Sequence, residues 1–334
     1  MTLKELGEFG LLDALAVDRV RLPAGWIGPG DDAAVLYAPA GPLLFTSDLL
    51  LEGRHFRLET TPAADLGYKA VAVNASDVAA MGGRPLACTV SLTAPSGLPV
   101  EWLKELYAGF SEASAEFGCP LVGGDTSSGD RVFLSLALLG VAAAKGAVLR
   151  SGARPGDRVY VSGSPGESAL GLKLLEEGAA LESPAHRHVV SRHRRPAPRL
   201  ALGAALGDAG LASAMIDVSD GLLQDLGHIL ERSRVGAKLA WEAIPLSPDL
   251  REVAARRALD PMPFVLAGGE DYELLLTAPP ENEAALREAA AACGIGLSAI
   301  GEIEEEPGLR LTKEGRPASL PEVRGYDHFR NDSE

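Results

Sequence analysis

SAMIDVSDGLLQDLGHILERS, residues 213–233, is the stretch whose reading decides the fold. Its opening, 213–217, reads as a short strand. The apolar residues that follow, Leu222, Leu223, Leu226, Ile229 and Leu230, recur at helical spacing along one face of a helix from Ser219 to about Ser233. Ser219 stands where a helix N-cap is expected. Between strand and helix lie Asp217, Ser219, Asp220 and Gly221, so a strand end hands carboxylates to a helix start. The same alternation extends outward. Downstream, strands are predicted near 264–267 and 272–277. Upstream, a strand at 158–162 precedes a helix at 167–177. Nearer the N-terminus come a strand near 43–46, helices near 62–81 and 100–117, and a long strand near 132–142. This order predicts an α/β or mixed α+β protein. A chain of 334 residues exceeds one comfortable core, and the turn formers and charges of 150–157 mark a boundary between domains 1–149 and 150–334.

With 46% hydrophobic and 23% charged residues, the composition is that of an ordinary globular protein. A net charge of −15 argues against nucleic acid or an anionic membrane as partner and favours cations, or anions carried in by cations. Cys88, Cys119 and Cys293 are odd in number and widely spaced, which fits a reducing compartment and small core residues. The N-terminal residues lack the apolar core of an export signal, and the longest apolar run, 132–144, is too short to span a bilayer. A cytoplasmic location is therefore expected.

Short aspartate clusters beside glycine or hydroxyl residues recur along the chain. They are Gly30, Asp31, Asp32; Thr46, Ser47, Asp48; Asn74, Ser76, Asp77; Gly123, Gly124, Asp125, Thr126; and Asp217, Ser219, Asp220, Gly221. Hard oxygen ligands on permissive backbone suit Mg²⁺, which is commonly shared between carboxylates and substrate phosphates. Taken singly, each cluster is equally ordinary turn or cap chemistry. Asp77 differs, because its helical projection places it among Leu66, Ala70, Val73 and Met81. A carboxylate there needs a metal or a strong donor close by, a neighbouring element's amides being the alternative. The chain has no G-x-x-x-x-G-K-[ST] loop and no dinucleotide-binding glycine motif. His186, His188 and His193 lie in a polar, Arg-rich segment that reads as solvated surface; His193, Arg194, Arg195 and Arg199 could alternatively meet phosphate.

Together these clusters resemble the thiamine-monophosphate kinase family, within the superfamily of aminoimidazole ribonucleotide synthetase. The resemblance spans nearly the whole chain. It includes Gly28 to Ala34, then Gly53, His55 and Phe56, then Tyr68, Lys69, Asn74 and Asp77. It continues through Gly123 to Thr126, Arg150 to Gly152, and Asp217 to Gly221, and closes with Gly268 to Glu273 and Gly325 to Phe329. It implies a two-domain fold with an N-terminal mixed sheet and a C-terminal α/β domain. It also implies a homodimer built largely from the first domain, with ATP as co-substrate and several Mg²⁺ ions. Metal roles are implied for Asp31, Asp32, Thr46, Ser47, Asp48, Asp77, Asp125, Asp217 and Asp220, of which Asp48, Asp77, Asp125 and Asp217 would serve catalysis through metal. ATP contacts are implied for Gly124, Asp125, Arg150 and Ser219, and substrate contacts for His55, Glu270 and Tyr326. Where family members often read Ser, Thr, Asp, Thr, this chain has Thr46, Ser47, Asp48 and Leu49, a departure that bears on the metal count.

The implied reaction transfers the γ-phosphoryl of ATP to thiamine monophosphate, giving thiamine diphosphate. Joining two polyanions calls for charge neutralisation and in-line positioning. The acceptor phosphate, with a second pKa of ~6, is already an anionic nucleophile and needs no general base. Glu270 would hydrogen-bond the aminopyrimidine, and Tyr326 and Phe329 would stack on the rings. Within the superfamily, a selenophosphate synthetase would carry an early reactive cysteine, whereas the first here is Cys88. A hydrogenase-maturation protein would end in cysteine, whereas this sequence ends in Ser333 and Glu334. A non-catalytic Ca²⁺-binding protein lacks its D-x-[DN]-x-[DN]-G loop here.

Overall fold

The structure, a computed structural model, describes residues 2–5, 10, 14–15, 21–29, 33–37, 39–322 and 325–326. Two compact units emerge, one of Met1–Val78 with Arg84–Ala142, the other of Ala79–Gly83 with Ala143–Glu334.

The first unit contains a four-stranded sheet of β1 (Leu43–Leu51), β2 (Arg84–Ala94), β3 (Leu121–Ser128) and β4 (Phe133–Val141), in the order β1-β4-β2-β3. β4 runs antiparallel to both β1 and β2, while β2 and β3 are parallel. That parallel pair is joined through helix α2 (Val100–Phe117), as a same-direction connection demands. Helix α1 (Ala63–Ala80) joins β1 to β2, and its residues 66–76 are all buried, a helix that is core on every side. α1 and α2 cross at Gly67 and Gly109, where a Cβ would overlap the carbonyls of Leu106 and Ala64. Alternation along the strands buries Leu44, Leu50, Val90, Leu92, Leu134, Leu136 and Leu138 on one face. The other face leaves Leu43, Phe45 and Leu49 exposed.

The second unit holds a seven-stranded mixed sheet, order β11-β10-β7-β9-β5-β8-β6. Its strands are β5 (Arg158–Ser162), β6 (Ala214–Asp217), β7 (Gly236–Ala240), β8 (Leu274–Ala278), β9 (Leu297–Glu304), β10 (Gly308–Lys313) and β11 (Arg316–Ala318). Its helices are α3 (Glu167–Glu176), α4 (Pro184–Arg194), α5 (Leu200–Ala209), α6 (Leu222–Ser233), α7 (Pro248–Arg256), α8 (Met262–Ala267) and α9 (Glu283–Ala292). Val159, Val161, Ile216 and Leu275 enter one hydrophobic cluster, while Tyr160, Met215, Leu274 and Leu276 enter a second. The central strands are thus buried on both faces and read as continuous apolar runs. Among the described residues no helix is long and apolar enough to cross a membrane. Cys88 and Cys119 are buried thiols and Cys293 is partly covered.

Local expectations fail in four places. The predicted strand at 264–267 is helix α8, because a short apolar run carries no period of its own and Pro261 starts a helix here. β8 begins at Leu274 rather than Tyr272, whose φ of 53° takes it out of the extended region. α6 begins at Leu222, and its N-cap is Gly221 at φ 132°, not Ser219. Gly123, Gly124, Asp125 and Thr126 lie inside edge strand β3, not in a turn. Glycine is needed there because a Cβ on Gly124 would overlap the Val90 carbonyl.

Candidate active site

In the first unit Asp48 and Asp77 meet where β1 faces α1. Thr46 and Asp48 share the inward side of β1, one pleat apart. The Thr46 hydroxyl donates a short hydrogen bond to Asp77 Oδ2, and the Asp48 amide donates to Asn74 Oδ1 at 3.0 Å. Burial first, and the Asp77 charge second, push Asp48 up from 3.8 to about 7. Two carboxylates and a hydroxyl with so little solvent form an oxygen donor set that fits a hard divalent cation. Ser47 points to the opposite, exposed face. His55, also proposed for substrate, accepts the Leu51 amide on Nδ1 at 3.0 Å and so closes the end of β1.

Asp125 is not brought to this pair within one chain. The register Asp48, Leu136, Val90, Gly124 runs straight across the sheet. Gly124 and Asp125 therefore sit on the far edge strand, three strand spacings or roughly 14 Å from Asp48. Asp125 itself is exposed on the open face, its Oδ1 accepting the Thr126 amide at 2.9 Å. Asp31, Asp32, His328 and Phe329 lie outside the described residues.

In the second unit three sequence motifs interlock. The loop after β6 and the segment before β8 pair through backbone: Val218 N to Glu273 O at 2.8 Å, Tyr272 N to Val218 O at 2.8 Å, and Glu270 N to Ser219 O at 2.7 Å. The C-terminal segment joins them, with Tyr326 N donating to Asp220 O at 3.0 Å and Gln224 Nε2 to Tyr326 O at 2.8 Å. Gly269 and Gly325 permit this, since a Cβ on either would press on Ser219 O or Asp220 O. Ser219, Asp220, Glu270 and Tyr326, four residues assigned from sequence to three different ligands, are therefore neighbours. Asp217, buried at the end of β6, leads into the same loop. Arg150 is exposed, and its carbonyl accepts from Ser233 Oγ at 3.4 Å.

Several residues to which the sequence assigned no site role hold this arrangement. Asp225 Oδ2 accepts the amides of Ser219, Asp220 and Gly221 at 3.1, 3.2 and 3.1 Å, fixing three successive residues of the loop. Burial, then the Asp220 charge, raises Asp225 to about 7, while those amides pull it back. Its signal was available: like Asp77, it sits on the apolar stripe of its helix. Asp271 is buried and accepts the amides of Gly166 and Ser168, which opposes the burial that lifts it to about 8. Glu273, 1% exposed, takes Ser162 Oγ at 2.5 Å, Arg192 at 3.0 Å and a bidentate fork from Arg199. Arg199 is thus committed to an internal ion pair. The expected surface histidines divide likewise. His188 is exposed, but His186 and His193 are buried, and His193 Nδ1 lies 3.2 Å from both Glu270 Oε2 and Ser168 Oγ. Helix α3 falls where the sequence predicted one, but α4 and α7, which pack beside it, were not predicted.

A fold of this topology, with an acidic pair between β1 and α1 in the first unit and an acidic loop after β6 in the second, is that of an AIR synthase-related protein. The family described as AIR synthase related protein matches over residues 30–142 for its N-terminal domain and 154–314 for its C-terminal domain. Closer relatives narrow this. A thiamine-monophosphate kinase of Salmonella typhimurium is 41% identical over 330 residues, 97% of this chain and 98% of that protein. The crystal structure of a thiamine-monophosphate kinase from Stenotrophomonas maltophilia superposes with a TM-score of 0.80 at 38% identity, covering 94% of this chain and 98% of that one. A structure of AaThiL complexed with AMPPCP and TMP gives 0.77 at 35% identity, covering 98% and 99%. The chain belongs to the thiamine-monophosphate kinase family.

Proposed function

We propose that the chain phosphorylates thiamine monophosphate with ATP, giving thiamine diphosphate and ADP by direct in-line transfer. The observation that carries the chemistry is the Asp48–Asp77 pair: a half-buried, oxygen-only set whose mutual repulsion calls for a cation. Thr46, Asp48 and Asp77 in the first unit, and Asp217 and Asp220 in the second, are the residues that would hold Mg²⁺. Asp31, Asp32, Ser47 and Asp125 complete the proposed set, with several ions per site. When bound, the ions neutralise the phosphate oxygens of ATP.

The chain's own residues bind and orient. Ser219, held by Asp225, presents its hydroxyl for nucleotide phosphate, and Arg150 and Gly124 are the other proposed ATP contacts. Glu270 and Tyr326, side by side through the 218–220 loop, fit the two ends of an aminopyrimidine–thiazolium acceptor: a carboxylate for the ring amine and an aromatic face for the cation. His55 is the remaining proposed acceptor contact. No side chain is needed as general base, since the acceptor phosphate is already ionised at neutral pH.

A homodimer accompanies this reading. Leu43, Phe45 and Leu49 stand 51%, 72% and 48% exposed on one face of an edge strand, an apolar surface that a second copy would cover. Asp125 shares that face, so the same contact would enclose it. The first domain then serves dimerisation and ATP–Mg²⁺ binding, in a soluble cytoplasmic enzyme. The deciding experiment is an ADP-release assay with ATP, Mg²⁺ and thiamine monophosphate, beside free thiamine as acceptor. Turnover with the monophosphate alone is expected; ATP binding without turnover would reject the acceptor assignment.

A further inference from the structure

We infer that His193 is a positioning residue for the acceptor: its Nδ1–H holds the Glu270 carboxylate in the orientation that recognises the amine of the acceptor's pyrimidine. The inference rests on the proposed contact between Glu270 and the acceptor. Glu270 occupies a left-handed conformation, φ 64°, and its side chain is 26% exposed, open on one side and closed on the other by His193. His193, at the end of α4, is 4% exposed. Its Nδ1 faces two oxygens at 3.2 Å, the Glu270 carboxylate and the Ser168 hydroxyl. A carboxylate offers only lone pairs, so the arrangement free of lone-pair repulsion puts the ring proton on Nδ1.

The ring is fixed without help from Glu270. Its neighbour Arg192 is anchored to Glu167 at 3.3 Å and to Glu273 at 3.0 Å. Ser168 is anchored through its own amide to Asp271 at 3.2 Å. Ser168 is buried and Arg192 mostly covered, both within the second unit, so a pre-placed donor meets a carboxylate on a strained loop. This is how a recognition group is held ready before its ligand arrives. A site built around a fixed acceptor discriminates strongly against an analogue that presents no donor, because the hydrogen bond to the ligand is then lost.

The test measures KM for thiamine monophosphate and for ATP, with kcat, in wild type, His193→Ala, His193→Asn, His193→Gln, Glu270→Ala and the His193→Ala/Glu270→Ala double variant. An analogue with hydrogen in place of the pyrimidine amine is run beside the natural acceptor. His193→Ala should raise KM for thiamine monophosphate about tenfold, equivalent to about 1.4 kcal/mol. KM for ATP should stay unchanged, and selectivity against the analogue without the amine should be lost. Asparagine places an amide N–H near the position of Nδ1 and should restore most of the effect; glutamine, which reaches toward Nε2, should not. In the double variant the histidine change should add nothing to Glu270→Ala.

Equal rises in both KM values, asparagine no better than glutamine, or full additivity would each overturn the role of His193. If Glu270→Ala leaves KM for the acceptor unchanged, the proposed Glu270 contact falls and the inference falls with it. Should His193→Ala fail to fold, the comparison of asparagine with glutamine decides alone.

Discussion

Replacing Asp77 by asparagine removes the charge that faces Asp48, and the consequence for stability has a definite sign. Asp48 is raised from 3.8 to about 7 in the folded protein. Between those values the unfolded chain has released a proton that the folded chain keeps, so stability falls as pH rises and the full loss is reached above pH 7. At about 1.4 kcal/mol per pH unit, the window sets a ceiling of about 4 kcal/mol in the absence of metal. Burial is the larger cause and Asp77 the smaller, so Asp77→Asn should return less than half, about 1–2 kcal/mol. In EDTA at pH 8 the variant should therefore melt about 2–5 °C above wild type, and at pH 4 the two should coincide. Added Mg²⁺ should reverse the order at pH 8, since the cation gains most where both carboxylates are ionised. Asp225 and Asp271 are raised in the same direction but are common to both proteins, so the difference isolates the pair. Thermal denaturation from pH 4 to 8.5, with EDTA and with Mg²⁺, reads both effects. A variant no more stable than wild type at pH 8 in EDTA, or an equal gain from Mg²⁺ in both, would refute the electrostatic account.

The other expectations are as direct. Asp77→Asn and Asp125→Asn should each abolish ADP release without unfolding the protein, and turnover in either, with a normal circular dichroism spectrum, would end that residue's metal assignment. Phe45→Glu should convert dimer to monomer by light scattering, because a face stabilised by about 2 kcal/mol for each buried Phe would receive a charge instead; an unchanged mass would place any dimer elsewhere. Gly163→Ala should lower stability by about 3 kcal/mol or more, since its Cβ would lie 2.6 Å from Glu273 Oε2 at φ 55° and disturb a buried ion pair. Gly178→Ala, at φ 60° with open space around it, should cost only about 1 kcal/mol. Equal melting-temperature losses would show that backbone strain alone governs both sites.

Much of the protein is written locally. The helical period of Leu222, Leu223, Leu226, Ile229 and Leu230, the run that becomes β4, and the ordered acidic motifs are properties of adjacent residues, and they fix two mixed units and the family. Asp77 was legible because a carboxylate on an apolar stripe conflicts with its own helix. What sequence spacing could not carry was which segments meet. The β1-β4-β2-β3 order sends Asp48 and Asp125 to opposite edges, although their motifs read alike. Backbone pairing of 218–220 with 270–273 and 326 makes neighbours of residues more than a hundred positions apart. His193 and Arg199 sit in a polar, cationic stretch that composition assigns to solvent. Packing buries His193 and largely covers Arg199 because Glu270 and Glu273, far along the chain, supply the acceptors for those donors. Burial of a polar group depends on its partner, and the partner is fixed only when the chain folds back on itself.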